Sequence, residues 1–187
     1  ILEGVIPDAS SHVVRSQFAP TAGMLLSIVQ AYEENAQILR LSFNALGALL
    51  RVQEKSDGFW SSLPAFQTLN AFLTLIDDER VKLRKSIHSQ LTQLLAQHAF
   101  QDAKPVRSYV AEFCLEIMRT ATRSNYKRAL FVSLFLESSI SLFSQDNVLQ
   151  LFGALLQLRE AGQPMLTAAA FRSIDAGLQS PQFRMTT

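Results

Sequence analysis

Apolar residues recur every three to four positions along almost the whole chain, with polar residues between them. That spacing is the mark of one buried face on an α-helix. Met24, Leu25, Ile28, Val29 and Tyr32 mark a first helix, and Leu39, Phe43, Leu46 and Leu50 a second. Phe66, Leu69, Leu73 and Ile76 give a third, and Leu83, Ile87, Leu91, Leu94 and Leu95 a fourth. Val106, Val110, Phe113, Cys114, Ile117 and Met118 line a fifth. The sixth, about Ser124 to Phe143, carries Leu130, Phe131, Leu134, Phe135 and Ile140 on several sides, so it is predicted to be covered on two faces. Val148, Leu151, Phe152 and Leu155 mark a seventh, and Leu166, Ala169, Ala170, Ile174 and Leu178 an eighth. No apolar/polar alternation of the strand type is present.

Punctuation agrees with these elements. Pro20, Pro64, Pro105 and Pro164 stand just before or within a first turn, where a missing N–H is tolerated. Ser62 and Asp146 are expected N-caps. Gly162 is expected to close one helix, and Pro181 follows the last. The longest connection runs around Gln53 to Ser61 and carries Asp57-Gly58. Paired in order, the helices form units starting near Thr21, Ser62, Pro105 and Asp146, roughly 41–43 residues apart. HEAT and armadillo arrays repeat at about 40–47 residues, each unit a helix pair that hides its apolar face only by stacking on neighbours. The expected fold class is therefore all-α, an α-solenoid of HEAT/armadillo-like helical hairpins. Residues 1–20 read as a partial or irregular lead-in, 21–181 as about four helix pairs, and 182–187 as a tail. The chain opens on Ile1 without a Met, and is expected to be a segment of a longer solenoid with sticky ends.

Composition adds limits. The 187 residues, 48% hydrophobic and 18% charged, suffice for a sizeable core rather than a disordered chain. The formal net charge of +1 hides an uneven distribution. Asp77 to Leu130 holds ten Lys/Arg against six Asp/Glu, whereas the remainder holds seven against ten. A basic middle points to an anionic partner. No apolar run reaches membrane-span length, since Glu137, Ser138 and Ser139 break the most apolar stretch. The single cysteine, Cys114, excludes an intrachain disulfide framework and a multi-thiolate metal site.

Candidate chemistry is sparse. His12, His88 and His98 share no metal-ligand spacing, and Cys114 lies on an apolar stripe with no activating base in its pattern. No phosphate-binding Gly loop and no nucleophile elbow occurs. No catalytic residue, cofactor, metal or small-molecule substrate is therefore expected. Asp77, Asp78 and Glu79 read as acids at a helix start. Phe59-Trp60, at the longest loop, reads as an anchor packing that loop onto a helix. Arg80, Arg84 and His88 share one helix face at i, i+4, i+8, broadened by Lys82 and Lys85. A second basic run comprises Arg119, Arg123, Lys127 and Arg128, with Lys104 and Arg107 between the two. These ten cations are the candidate contacts to RNA phosphates or acidic protein; against phosphate they position rather than specify. A solvated or structural helix face is the alternative for each.

The run Asp78–Leu95, with Lys82-Leu83-Arg84-Lys85, resembles a repeat of the ribosomal RNA processing protein 12 family. Pro105-Val106-Arg107-Ser108-Tyr109-Val110-Ala111-Glu112-Phe113-Cys114 is similar to that family's proline-started helix, and Met165 to Phe171 to its following repeat. Ser86 and Lys104 depart from the family pattern. The resemblance implies a large, non-catalytic HEAT-repeat protein of the nucleus and nucleolus, with nucleocytoplasmic shuttling. It would accompany small-subunit precursors, serve rRNA maturation and assist nuclear export. The implied partners are pre-ribosomal RNA, small-subunit assembly factors and nuclear transport factors, with no membrane. Two other readings stay open on the repeat pattern alone: a HEAT-repeat nuclear transport receptor or adaptor, and a regulatory scaffold subunit of an enzyme complex.

Overall fold

The computed structural model describes residues 11–53, 57–97, 104–180 and 183. The fold is all-α, built of HEAT-type hairpins as an α-solenoid, with no strand among the described residues. The helices are α1 (Ser11–Ser16), α2 (Phe18–Ala31), α3 (Ala36–Arg51), α4 (Asp57–Trp60), α5 (Leu63–Thr74) and α6 (Val81–Ala96). They continue as α7 (Lys104–Arg119), α8 (Tyr126–Ser139), α9 (Gln145–Gln157) and α10 (Pro164–Leu178). The first helices of successive hairpins begin at Phe18, Leu63, Lys104 and Gln145. The chain divides into two compact units, Ile1–Lys104 and Pro105–Thr187.

In the first unit, α2 packs on α3 within its hairpin and on α5, the first helix of the next. The second helices α3 and α6 pack on one another. Phe43 of α3 meets Phe72 of α5 edge-on at 4.8 Å, both fully enclosed. Each such side chain contributes roughly 1.5–3 kcal/mol by leaving water. The α3–α6 contact also carries a polar seam. Ser86 Oγ donates to Asn44 Oδ1 at 2.8 Å, and Gln90 Nε2 donates to the same oxygen at 3.2 Å. Arg51 in turn donates to Gln90 Oε1. Gly47 makes room for this arrangement, because a Cβ there would stand 2.2 Å from Gln90 Oε1.

The lead-in holds the short helix α1. Helix α2 begins at Phe18 rather than Thr21, since Pro20 sits where the first turn needs no N–H. Val14 and Phe18 are buried, and Arg15 Nε donates to the Val52 carbonyl at 3.0 Å. The apolar face of α2 is also rotated from the one expected: Phe18, Ala22 and Leu25 are buried, while Met24 and Tyr32 are about half exposed. Phe66 is likewise exposed on α5. Phe59 packs edge-on against Phe18 at 4.9 Å and against Trp60 at 4.8 Å, so this pair anchors onto α2.

In the second unit, α8 packs closely on α10, and α9 on α10. The core uses Val132, Phe135 and Leu136 of α8 with Leu166 and Ala169 of α10. Expected core residues Leu130, Phe131 and Leu134 are only half buried. Small polar residues take the tightest positions instead: Ser133, Ser139 and Ser173 are fully buried. Ser173 Oγ satisfies itself across the α8–α10 contact, 2.8 Å from the Ser133 carbonyl. Caps fell partly elsewhere than expected. Asn35 Oδ1 accepts from the Gln37 and Ile38 N–H groups at 3.1 Å, and Ser144, not Asp146, caps α9. Gly162 adopts φ 65°, the left-handed conformation that ends the turn before α10. Leu149 and Leu156 of α9, with Met165 and Phe171 of α10, are exposed.

Candidate functional site

Charged residues gather at several hairpin turns, and each unit has a groove beside a pair of turns. In the first unit Arg80 is the N-cap residue of α6. Its guanidinium pairs twofold with Asp78, Nε to Oδ1 at 2.9 Å and Nη2 to Oδ2 at 2.7 Å. Its Nη1 reaches back to the Glu33 carbonyl at 2.8 Å, tying the second hairpin's turn to the first. Burial alone would raise the Asp78 pKa; hydrogen bonds from the Arg80 side chain and backbone and the charges of Arg80 and Arg84 outweigh it and hold the carboxyl below its usual range. The hydrogen bond to Asp78 holds Arg80 above its ordinary pKa, with the charges of Asp78 and Glu34 adding to it.

Of the row Arg80, Arg84 and His88, the last two face inward rather than toward solvent. Arg84 is 8% exposed and donates to the Asp78 carbonyl. His88 Nε2 lies 2.7 Å from the Ile76 carbonyl oxygen, an acceptor, so this nitrogen carries the proton. Burial lowers the His88 pKa, and the nearby Arg84 charge lowers it further against the Ile76 hydrogen bond. Of this first basic run, Lys82 and Lys85 remain exposed. Lys82 lies in the first turn of α6, the positive end of the helix dipole, where a cation lowers helix stability, so its placement does not serve the helix; Lys85 follows just beyond that turn.

In the second unit Arg119 and Arg123 line one groove of about 400 Å³, with Thr122, Leu158, Glu160 and Gly162 on its walls. It lies between the α7–α8 turn and the α9–α10 turn. Asn125 organises the first turn, accepting from Thr122 N–H and donating to the Thr120 carbonyl at 3.1 Å. Arg119 ends α7, where it also favours the dipole. Lys127 and Arg128 are exposed in the first turn of α8, at its unfavourable end for cations. Arg107 is half buried on α7, and the side chain of Lys104 lies outside the described residues.

Reactive chemistry has little to work with. Cys114 is wholly buried, which pushes its thiol pKa up to about 12. That is far from the thiolate a nucleophile needs. Among the described residues no three His, Cys, Asp or Glu side chains gather as a metal site, and no helix is long and apolar enough to cross a membrane.

The family model described as RRP12-like, N-terminal HEAT repeats, matches residues 1–185. The chain belongs to the RRP12-like family. A comparison with curated proteins returns no match. Membership in the RRP12-like family accounts for the repeat step and the helix pairing. Periodicity missed one feature that this RRP12-like fold brings together: Glu33 and Glu34 of the first turn stand beside Asp78 and Glu79 of the next, around a groove of about 550 Å³. The available signal was acidic residues at equivalent turn positions one repeat apart.

Proposed function

We propose that the chain is a stretch of a non-catalytic ribosome-assembly scaffold. In this reading it acts in the nucleolus and nucleus, in rRNA maturation and in nuclear export of small-subunit precursors. Membership in the RRP12-like family across residues 1–185 supports it. What supports a surface for this role is the groove lined by Arg119 and Arg123, with Lys127 and Arg128 exposed at the start of the following helix. Lys127 and Arg128, in the first turn of α8, add positive charge to the same surface, where phosphate oxygens are the matching partner. Such contacts hold an RNA element by charge and shape, which a scaffold needs and catalysis does not.

The test is reversal of Arg119, Arg123 and Lys127 to Glu in the full-length protein. Recovery of pre-ribosomal particles is expected to fall, with helicity by circular dichroism unchanged. For the purified chain, affinity for structured RNA is expected to drop with salt, with a log–log slope near −3 for about three phosphate contacts. Undiminished particle recovery by a folded variant, or salt-independent RNA affinity, removes this surface from the mechanism.

A further inference from the structure

We propose that the groove between the two hairpin turns of the first unit docks a lysine- or arginine-rich peptide segment of a protein partner. The groove has a volume of about 550 Å³, within the roughly 300–1,000 Å³ typical of binding pockets. Its apolar lining is Val29, Ala71 and Leu75, lying over the buried Leu39 and Phe43. Its rim is acidic: Glu33 and Glu34 come from the α2–α3 turn, Asp78 and Glu79 from the α5–α6 turn.

The charge balance selects the occupant. Among the described residues lining the groove Arg80 is the one cation, its guanidinium committed to Asp78 and to the Glu33 carbonyl, and the buried Arg84 behind the rim also acts on Asp78 and Glu79. The Glu34 charge reaches Arg80 strongly enough to help raise its pKa, so both turns act on one space. Four carboxylates against these two arginines still leave a negative surplus, which repels phosphate and disfavours RNA here. A bare metal ion is not held, because the carboxylates are spread along the rim rather than gathered. A lysine or arginine side chain fits both parts. Its alkyl stem covers the apolar lining while its charged head meets the rim. This groove is opposite in sign to the one carrying Arg119 and Arg123, so it stands or falls independently of the RNA reading.

The probe is a fluorescein-labelled octa-arginine peptide, with its neutral octa-citrulline counterpart as control, titrated into the whole chain by fluorescence anisotropy. Octa-arginine is expected to bind and octa-citrulline not. The Glu33→Gln/Glu34→Gln double variant is expected to weaken binding about fivefold, the loss of two partly screened charge contacts. Ala71→Phe keeps every charge but fills the groove, and is expected to weaken binding comparably. Glu112→Gln/Glu116→Gln removes the same charge from the exposed side of α7 and is expected to change nothing. Full affinity in Glu33→Gln/Glu34→Gln, or equal weakening by Glu112→Gln/Glu116→Gln, overturns the proposal. So does full affinity in folded Ala71→Phe, which would reduce the effect to general surface charge.

Discussion

Gly47 gives the sharpest test of the packing between second helices. Replacing a mid-helix glycine with alanine ordinarily stabilises a helix by about 1 kcal/mol. Here the new Cβ would stand 2.2 Å from Gln90 Oε1 and 3.0 Å from its Cδ. The Gln90 amide must therefore swing away, giving up the bond from Arg51 and the bond to Asn44. A bond to a charged group contributes about 1.5–3 kcal/mol and a neutral one about 0.5–1.5 kcal/mol. Set against the helix gain, Gly47→Ala should destabilise the first unit by about 1–3 kcal/mol. The chain's single tryptophan, Trp60, is buried in that unit, so urea unfolding followed by its fluorescence reads the right transition. The decisive arm is the Gln90→Ala background. With the amide gone, the same glycine substitution should change sign and stabilise by up to about 1 kcal/mol. If Gly47→Ala proves as stable as the parent with Gln90 present, the seam does not need that glycine and the reasoning fails.

Two further expectations use the same logic. The His88 pKa lies below the ordinary 6.5 in the folded state, so the unfolded chain binds the proton more readily. Stability of the first unit from this group is then full above pH 6.5 and declines as pH falls through the lowered pKa. Trp60-monitored urea midpoints between pH 7.5 and pH 5 should fall less in His88→Gln than in the parent; parallel curves would refute the assignment. In the second unit, Gly153 has open space around its Cβ direction, whereas a Cβ on Gly177 would meet the Phe152 ring at 2.6 Å. Gly153→Ala should raise the urea midpoint, a gain of about 1 kcal/mol. Gly177→Ala should lower it by about 1–3 kcal/mol as the ring is displaced. Circular dichroism melts with the two variants moving the same way would contradict the packing.

The repeat architecture was legible because each helix carries its own apolar face. Proline positions and a roughly constant repeat step did the rest. The phase of a face was less secure: Met24, Tyr32 and Phe66 obey the period yet point outward. Periodicity locates a stripe, but its exact direction depends on where neighbouring helices lie, as the burial of Phe18 and Ala22 shows. The same limit applies to Arg84 and His88. Their spacing correctly places them on one face, but only the fold reveals that the face turns toward the α5–α6 connection. Arg119 and Arg123 came out of the sequence as neighbours because only three residues separate them across one helix end and the turn after it. Glu160 on the facing wall did not, since local spacing is blind to a residue one repeat away.

The seam of Asn44, Ser86, Gln90 and Arg51 has a mechanical consequence. Hydrogen bonds between side chains demand register, so a slide of α6 along α3 would strand amide and hydroxyl groups in the interior. Rolling of the two cylinders about their line of contact leaves those bonds nearly intact. The seam therefore acts as a latch against sliding, holding α3 and α6 in one register.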